Sequence, residues 1–128
     1  RFNEAYAWRS IKEAGGKVTF STDWPVSNVD PINCIFNALN RQVWAEGQLD
    51  QRLSLIDTLK AYTIGGAYAE FKEHKKGLIQ KNYLADIVVL SGRIDLIDKE
   101  KLSTLKVIST IVDGKLVYSS DPQLEGAN

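Results

Sequence analysis

The sequence has no methionine, one cysteine (Cys34), one histidine (His74) and three prolines in 128 residues. Each scarcity excludes something. A single cysteine rules out an internal disulfide and any multi-cysteine zinc site, and Cys34 falls in an apolar helical pattern where a buried structural thiol is expected. With no disulfide framework, the expected compartment is the cytoplasm. A single histidine cannot fill a metal centre, which needs three or more protein ligands; His74 lies among Lys72, Lys75 and Lys76, at what reads as a solvated helix end. Net charge is missing too. Sixteen basic residues balance sixteen acidic ones, so no overall field draws the chain to nucleic acid or to an anionic membrane. No apolar run approaches the roughly 18 residues that span a bilayer, and no charged-then-apolar leader opens the chain; a soluble protein is expected. With no methionine and Arg1 in first place, the sequence is expected to be a piece of a longer polypeptide.

What is present is an ordinary globular composition, 44% hydrophobic and 25% charged, over the length of about one domain. The stretch 6–16, YAWRSIKEAGG, reads as a short helix, with Trp8, Ile11 and Ala14 on one face and Gly15-Gly16 as a left-handed stop. A strand is expected directly after it, over residues 17–21. Two-residue alternation puts Val18 and Phe20 on one face and Thr19, Ser21 and Asp23 on the other. Asp30-Pro31 is a strong helix start, followed by a stripe of Ile32, Ile35, Phe36, Leu39 and Val43, with Gly47 as terminator. Ser54 and Asp57 have capping-box spacing ahead of Leu55, Leu59 and Tyr62. Gly65-Gly66 is expected to interrupt that helix before a short one resumes in AYAEFKEH.

Beyond Lys76 the period becomes extended, in GLIQ, LADIVVL, LKVISTIV and KLVYS. The last two are joined through Asp113-Gly114, the signature of a mirror-image hairpin turn. The chain is expected to divide into residues 1–62, an α/β unit, residues 63–118, a helix and β strands, and a flexible tail, residues 119–128. Trp8 and Trp44, at helical spacings, read as packing residues, whereas Trp24 sits in a loop.

The stretch 20–31, FSTDWPVSNVDP, places a lone carboxylate where a strand ends and a rigid loop begins. Barrel and doubly wound α/β proteins put their chemistry at such a point. An isolated Asp in a proline-containing loop more often caps a turn, so the motif alone leaves both readings open. Other chemistries lack their residues. Ser21, Ser27 and Cys34 have no histidine partner and no Gly-x-Ser-x-Gly elbow, and no phosphate-binding fingerprint surrounds Gly65-Gly66.

Three segments in order carry a resemblance. YAWRSIKEAGGKVTFSTDWPVSNVDP resembles the last barrel strand and following loop of the metal-dependent amidohydrolase superfamily, in the branch that includes N-substituted formamide deformylases. RLSLIDTLKAYTIGGAYAEF resembles its Leu-Ser…Ala-Tyr-Thr helix, and KGLIQKNYLADIVVLS its Gly-x-Ile/Leu, Gly-Lys, Ala-Asp-hydrophobic strand pair. Two departures stand out: Ser21-Thr22-Asp23 replaces Gly-Ser-Asp, and Lys81-Asn82-Tyr83 replaces the Gly-Lys turn.

The resemblance implies an α/β fold, the last strand-helix unit of a (β/α)8 barrel plus C-terminal strands of a small β-sandwich built from both chain termini. It implies a hydrolase for non-peptide carbon-nitrogen bonds in amides, formamides or cyclic amides, dependent on a divalent metal, zinc first among the candidates. Asp23 takes the place of the aspartate that binds the metal or its water and shuttles the proton. Trp24, Ser21 and Ser27 take places that line the substrate. The other ligands would come from histidines on upstream strands, so the 128 residues alone are expected to be inert. Their open barrel strand is expected to pair with another copy, to recruit the chain's own hairpin as a substitute, or to belong to a larger assembly. The competing reading is a small non-enzymatic α+β interaction or oligomerisation module.

Overall fold

A computed structural model describes residues 5–43 and 45–123. Among the described residues four α-helices come first: α1 (Trp8–Glu13), α2 (Pro31–Asn40), α3 (Leu55–Tyr62) and α4 (Ile64–Ala69). Strands β1 (Ile87–Leu90), β2 (Val107–Val112) and β3 (Lys115–Ser119) follow, with a 3-10 helix, Lys99–Thr104, between the first two. Among the described residues no helix is long and apolar enough to cross a membrane.

The local signals for the helix ends act as expected. Gly15, at φ +85°, closes α1. Its N–H donates to Lys12 O and that of Gly16 to Ile11 O, each at 2.9 Å, the paired bonds of a Schellman end. At α2 the Asp30 carboxylate accepts the Ile32 N–H at 2.9 Å, with Pro31 in the first helical position. At α3 the Ser54 hydroxyl oxygen accepts the Asp57 N–H at 3.1 Å. The Asp57 carboxylate accepts hydrogen bonds from that hydroxyl at 2.6 Å and from Lys12 Nζ at 2.7 Å. Hydrogen bonds from Lys12 and then Ser54 hold that carboxyl below its ordinary range.

The core forms where α2 meets α3 and the 3-10 helix. Ile32, Ile35 and Leu39 supply one side, Leu102 and Leu105 the other, and Phe36, Leu55, Leu59, Tyr62, Ile94 and Ile97 close around them. The sheet, in order β1-β2-β3 and wholly antiparallel, meets this core through Leu90. Its turn is the expected hairpin, with Asp113 at φ +49° and Gly114 at φ +78°. The Asp113 N–H is held by the Asp86 carboxylate at 2.8 Å. Val88 and Tyr118 on one face of the sheet and Val89 on the other remain exposed.

Several expectations are corrected. Residues 17–21 are extended but form no strand, because a ladder needs a neighbour and none lies beside them among the described residues. The alternation nonetheless holds, with Val18 and Phe20 turned inward and Thr19, Ser21 and Asp23 outward. Residues 77–80 likewise find no partner, and Ile79 is exposed. Helix α2 stops at Asn40 rather than running to Gly47. The Asn40 amide bonds Phe36 O at 3.1 Å and Lys99 O at 2.9 Å, and Val43 is left exposed. Ser119 is not the start of a frayed tail; it is buried and pairs with Ser109. Residues 124–128 and Trp44 lie outside the described residues.

Gly65 and Gly66 do not break the helix either. The break falls at Thr63, whose φ −117°, ψ −91° is non-helical, and both glycines sit inside α4. Gly65 is there for contact. A Cβ on it would lie 2.8 Å from Val18 O and 3.1 Å from Lys60 O, both backbone atoms. That closeness lets the extended segment lie on α3 and α4, with Phe20 N–H donating to Ala61 O at 3.1 Å and Thr19 Oγ1 to Gly65 O at 2.9 Å. Gly65→Ala is expected to destabilise the fold by about 1–3 kcal/mol through overpacking, read as a lower urea midpoint; an unchanged midpoint contradicts the contact.

Candidate active site

The extended segment runs out at Asp23, the position singled out by sequence. Val18 and Phe20 anchor it from below: the Phe20 ring packs on Trp8 (4.9 Å between centroids) and Tyr62 (5.5 Å). Such edge and tilted contacts suit aromatic quadrupoles. Trp8 is therefore a packing residue, as expected. Tyr62 is held neutral by its surroundings, since burial first and then the adjacent Cys34 push its phenol well above the usual range. Cys34 itself is half-buried, more open than expected.

Beyond this aromatic support the chain turns sharply. Asp23 adopts φ +54°, a left-handed conformation that few residues other than Gly, Asn and Asp take readily. Its N–H donates to Ser21 Oγ at 3.1 Å and its carbonyl accepts the Val26 N–H at 2.8 Å. The Ser27 hydroxyl donates to Thr22 O. The backbone of the loop is thus bonded to itself, and the Asp23 side chain is exposed. Among the described residues its carboxylate has no hydrogen bond and no ion pair, so both oxygens stay free for a metal ion or a proton. Trp24, next to it, is 68% exposed.

The structure thus brings Ser21, Asp23, Trp24 and Ser27 together in one exposed loop. The serine hydroxyls are engaged by the loop's own backbone, a role that spacing alone does not reveal. Among the described residues no group of three His, Cys, Asp or Glu side chains could hold a metal ion. Asp23 fits as one ligand of such a site, not as a site. His74 is exposed, as expected of a solvated residue, but lies in a turn beyond the end of α4 rather than at a helix end.

Comparison with known proteins bears on these observations. The family model described as "Amidohydrolase family" matches residues 1–118. The chain is 32% identical over 123 residues to the putative amidohydrolase YtcJ of Bacillus subtilis, covering 92% of this chain and 23% of that protein. It is 31% identical over 113 residues to the N-substituted formamide deformylase of Arthrobacter pascens, covering 86% and 21%. Among solved structures, an amidohydrolase from Thermotoga maritima superposes with a TM-score of 0.61 at 22% identity, over 89% of this chain and 26% of that one. The chain therefore spans under a quarter of the length of these two curated relatives, and the likeness in fold is to part of a larger structure. A free-standing interaction module is not favoured. By sequence match over most of its length, the chain belongs to the amidohydrolase family.

Proposed function

We propose that the chain forms the C-terminal part of a metal-dependent hydrolase for non-peptide carbon-nitrogen bonds, with amides, formamides or cyclic amides as substrates. The observation that carries this reading is the Asp23 carboxylate, exposed at the exit of an extended segment and without a bond to any other described residue. Family membership over residues 1–118 supports it. In this reading residues 17–21 are the last barrel strand, Asp23 is one ligand of a zinc ion, and the remaining ligands come from polypeptide outside this sequence. The metal supplies Lewis-acid activation of the carbonyl and of water. Asp23 accepts the proton of the attacking water and hands it to the leaving nitrogen. Trp24 offers an apolar wall beside that carboxylate.

Two features support a larger assembly. Among the described residues, Phe20 alone in the extended segment donates a backbone N–H, to Ala61. That leaves an edge suited to a neighbouring strand from the same polypeptide or another copy. The apolar residues exposed on both faces of β1–β3 suit the half-built sandwich that residues 63–118 represent in this reading.

The test is amine release by the full-length protein from N-substituted formamides and cyclic imides. Activity is expected to vanish on chelation and return with zinc, while the 128 residues alone show none. Hydrolysis that survives metal removal contradicts the proposal.

A further inference from the structure

We infer that Ser27 is a positioning residue for Asp23, acting by clasping the loop that carries the carboxylate rather than by touching substrate. The inference rests on the proposed role of Asp23 as a metal ligand. The Ser27 hydroxyl reaches back across the loop to donate to Thr22 O, directly before Asp23 in the chain. Two further bonds converge on residue 23 itself: its N–H on Ser21 Oγ at 3.1 Å, and its carbonyl with the Val26 N–H at 2.8 Å. Among the described residues no hydrogen bond from a helix reaches residues 22–27, and Trp24 and Val26 are exposed. The loop's shape is therefore set from within.

That matters because of the backbone at Asp23. At φ +54° it sits in the left-handed region, which aspartate tolerates better than most residues but which is still sparsely populated beside the extended basin unless neighbours hold it. A shift to that basin swings the Cα–Cβ bond and carries the carboxylate elsewhere. The Ser27 clasp joins the end of the loop to its beginning, and so opposes that swing. Groups that orient a ligand from behind typically affect metal affinity tenfold to a hundredfold when removed.

The experiment uses the full-length protein and zinc alone as the probe, with affinity read by competition with a chromophoric chelator. Ser27→Ala is expected to weaken zinc binding by about tenfold to a hundredfold and to speed hydrogen exchange at the Val26 amide. Ser27→Thr, which keeps a hydroxyl, is expected to restore both. In turnover of an N-substituted formamide, kcat is expected to fall with KM within about twofold, since misplacement acts on the reacting geometry. Unchanged zinc affinity, or a raised KM with kcat intact, overturns the inference; the second pattern marks a hydroxyl that lines the substrate. Should Ser27→Ala not fold, Ser27→Val, which also lacks the hydroxyl and adds no metal-binding group, is expected to give the same readings. Asp23→Asn measured alongside separates the two claims. If Asp23→Asn loses zinc while Ser27→Ala does not, only the clasp fails; if Asp23→Asn keeps zinc and turnover, the role of Asp23 itself fails.

Discussion

Asp23→Asn in the full-length protein is expected to lower kcat by about a hundredfold to ten-thousandfold, the range over which a positioned acid-base group contributes. The fold is expected to survive. Asparagine matches aspartate in shape and is likewise at ease in left-handed backbone, so the φ of +54° at this position is kept while the charge is removed. The carboxylate bonds no other described residue, so its loss leaves no buried partner unsatisfied. An unfolding midpoint near that of the natural protein, together with the loss of turnover, isolates chemistry from stability. A variant that keeps more than about a tenth of the natural kcat is below the range that acid-base catalysis gives and contradicts the assignment.

The second large effect concerns what holds the loop's scaffold in place. Leu102 is 1% exposed, the most buried member of the core, and joins the 3-10 helix to Ile32, Ile35 and Leu39 of α2. Leu102→Ala removes apolar contacts and leaves a cavity, an expected cost of about 2–5 kcal/mol. Because α2 begins just beyond the Asp23 loop and α3 carries the Ala61 carbonyl that receives the Phe20 N–H, the same loss is expected to loosen the loop's anchorage. Urea unfolding measures it. A cost under about 1 kcal/mol contradicts the place given to Leu102 at the centre of the core.

Leu102 also shows where the sequence ran out. Residues that form an end or a turn announce themselves through local chemistry: Gly15-Gly16, Asp30-Pro31, Ser54 with Asp57, and Asp113-Gly114 all act where their spacing indicates. The 3-10 helix over Lys99–Thr104 carries no such signal. Its three-residue offset between Leu102 and Leu105 is the one trace it leaves, and a stretch this short and charged has too few apolar positions to show a period. Propensity marks Gly65 as a helix breaker, yet its role is a close contact with Val18 O and a hydrogen bond from Thr19, the latter from 46 residues earlier. Non-local contacts of that kind are invisible to a window along the chain. At the site, alternation from Val18 to Asp23 puts the carboxylate on the exposed face, opposite the half-buried Val18 and Phe20. The bonds from Ser21 and Ser27 that shape its loop emerge from the folded geometry.

The most direct measurement is a crystal structure of the full-length protein with zinc bound. The account predicts a carboxylate oxygen of Asp23 in the ion's coordination shell, at about 2.0–2.2 Å if bound directly, or one water away. A fully coordinated ion with Asp23 neither in its coordination shell nor one water away contradicts it.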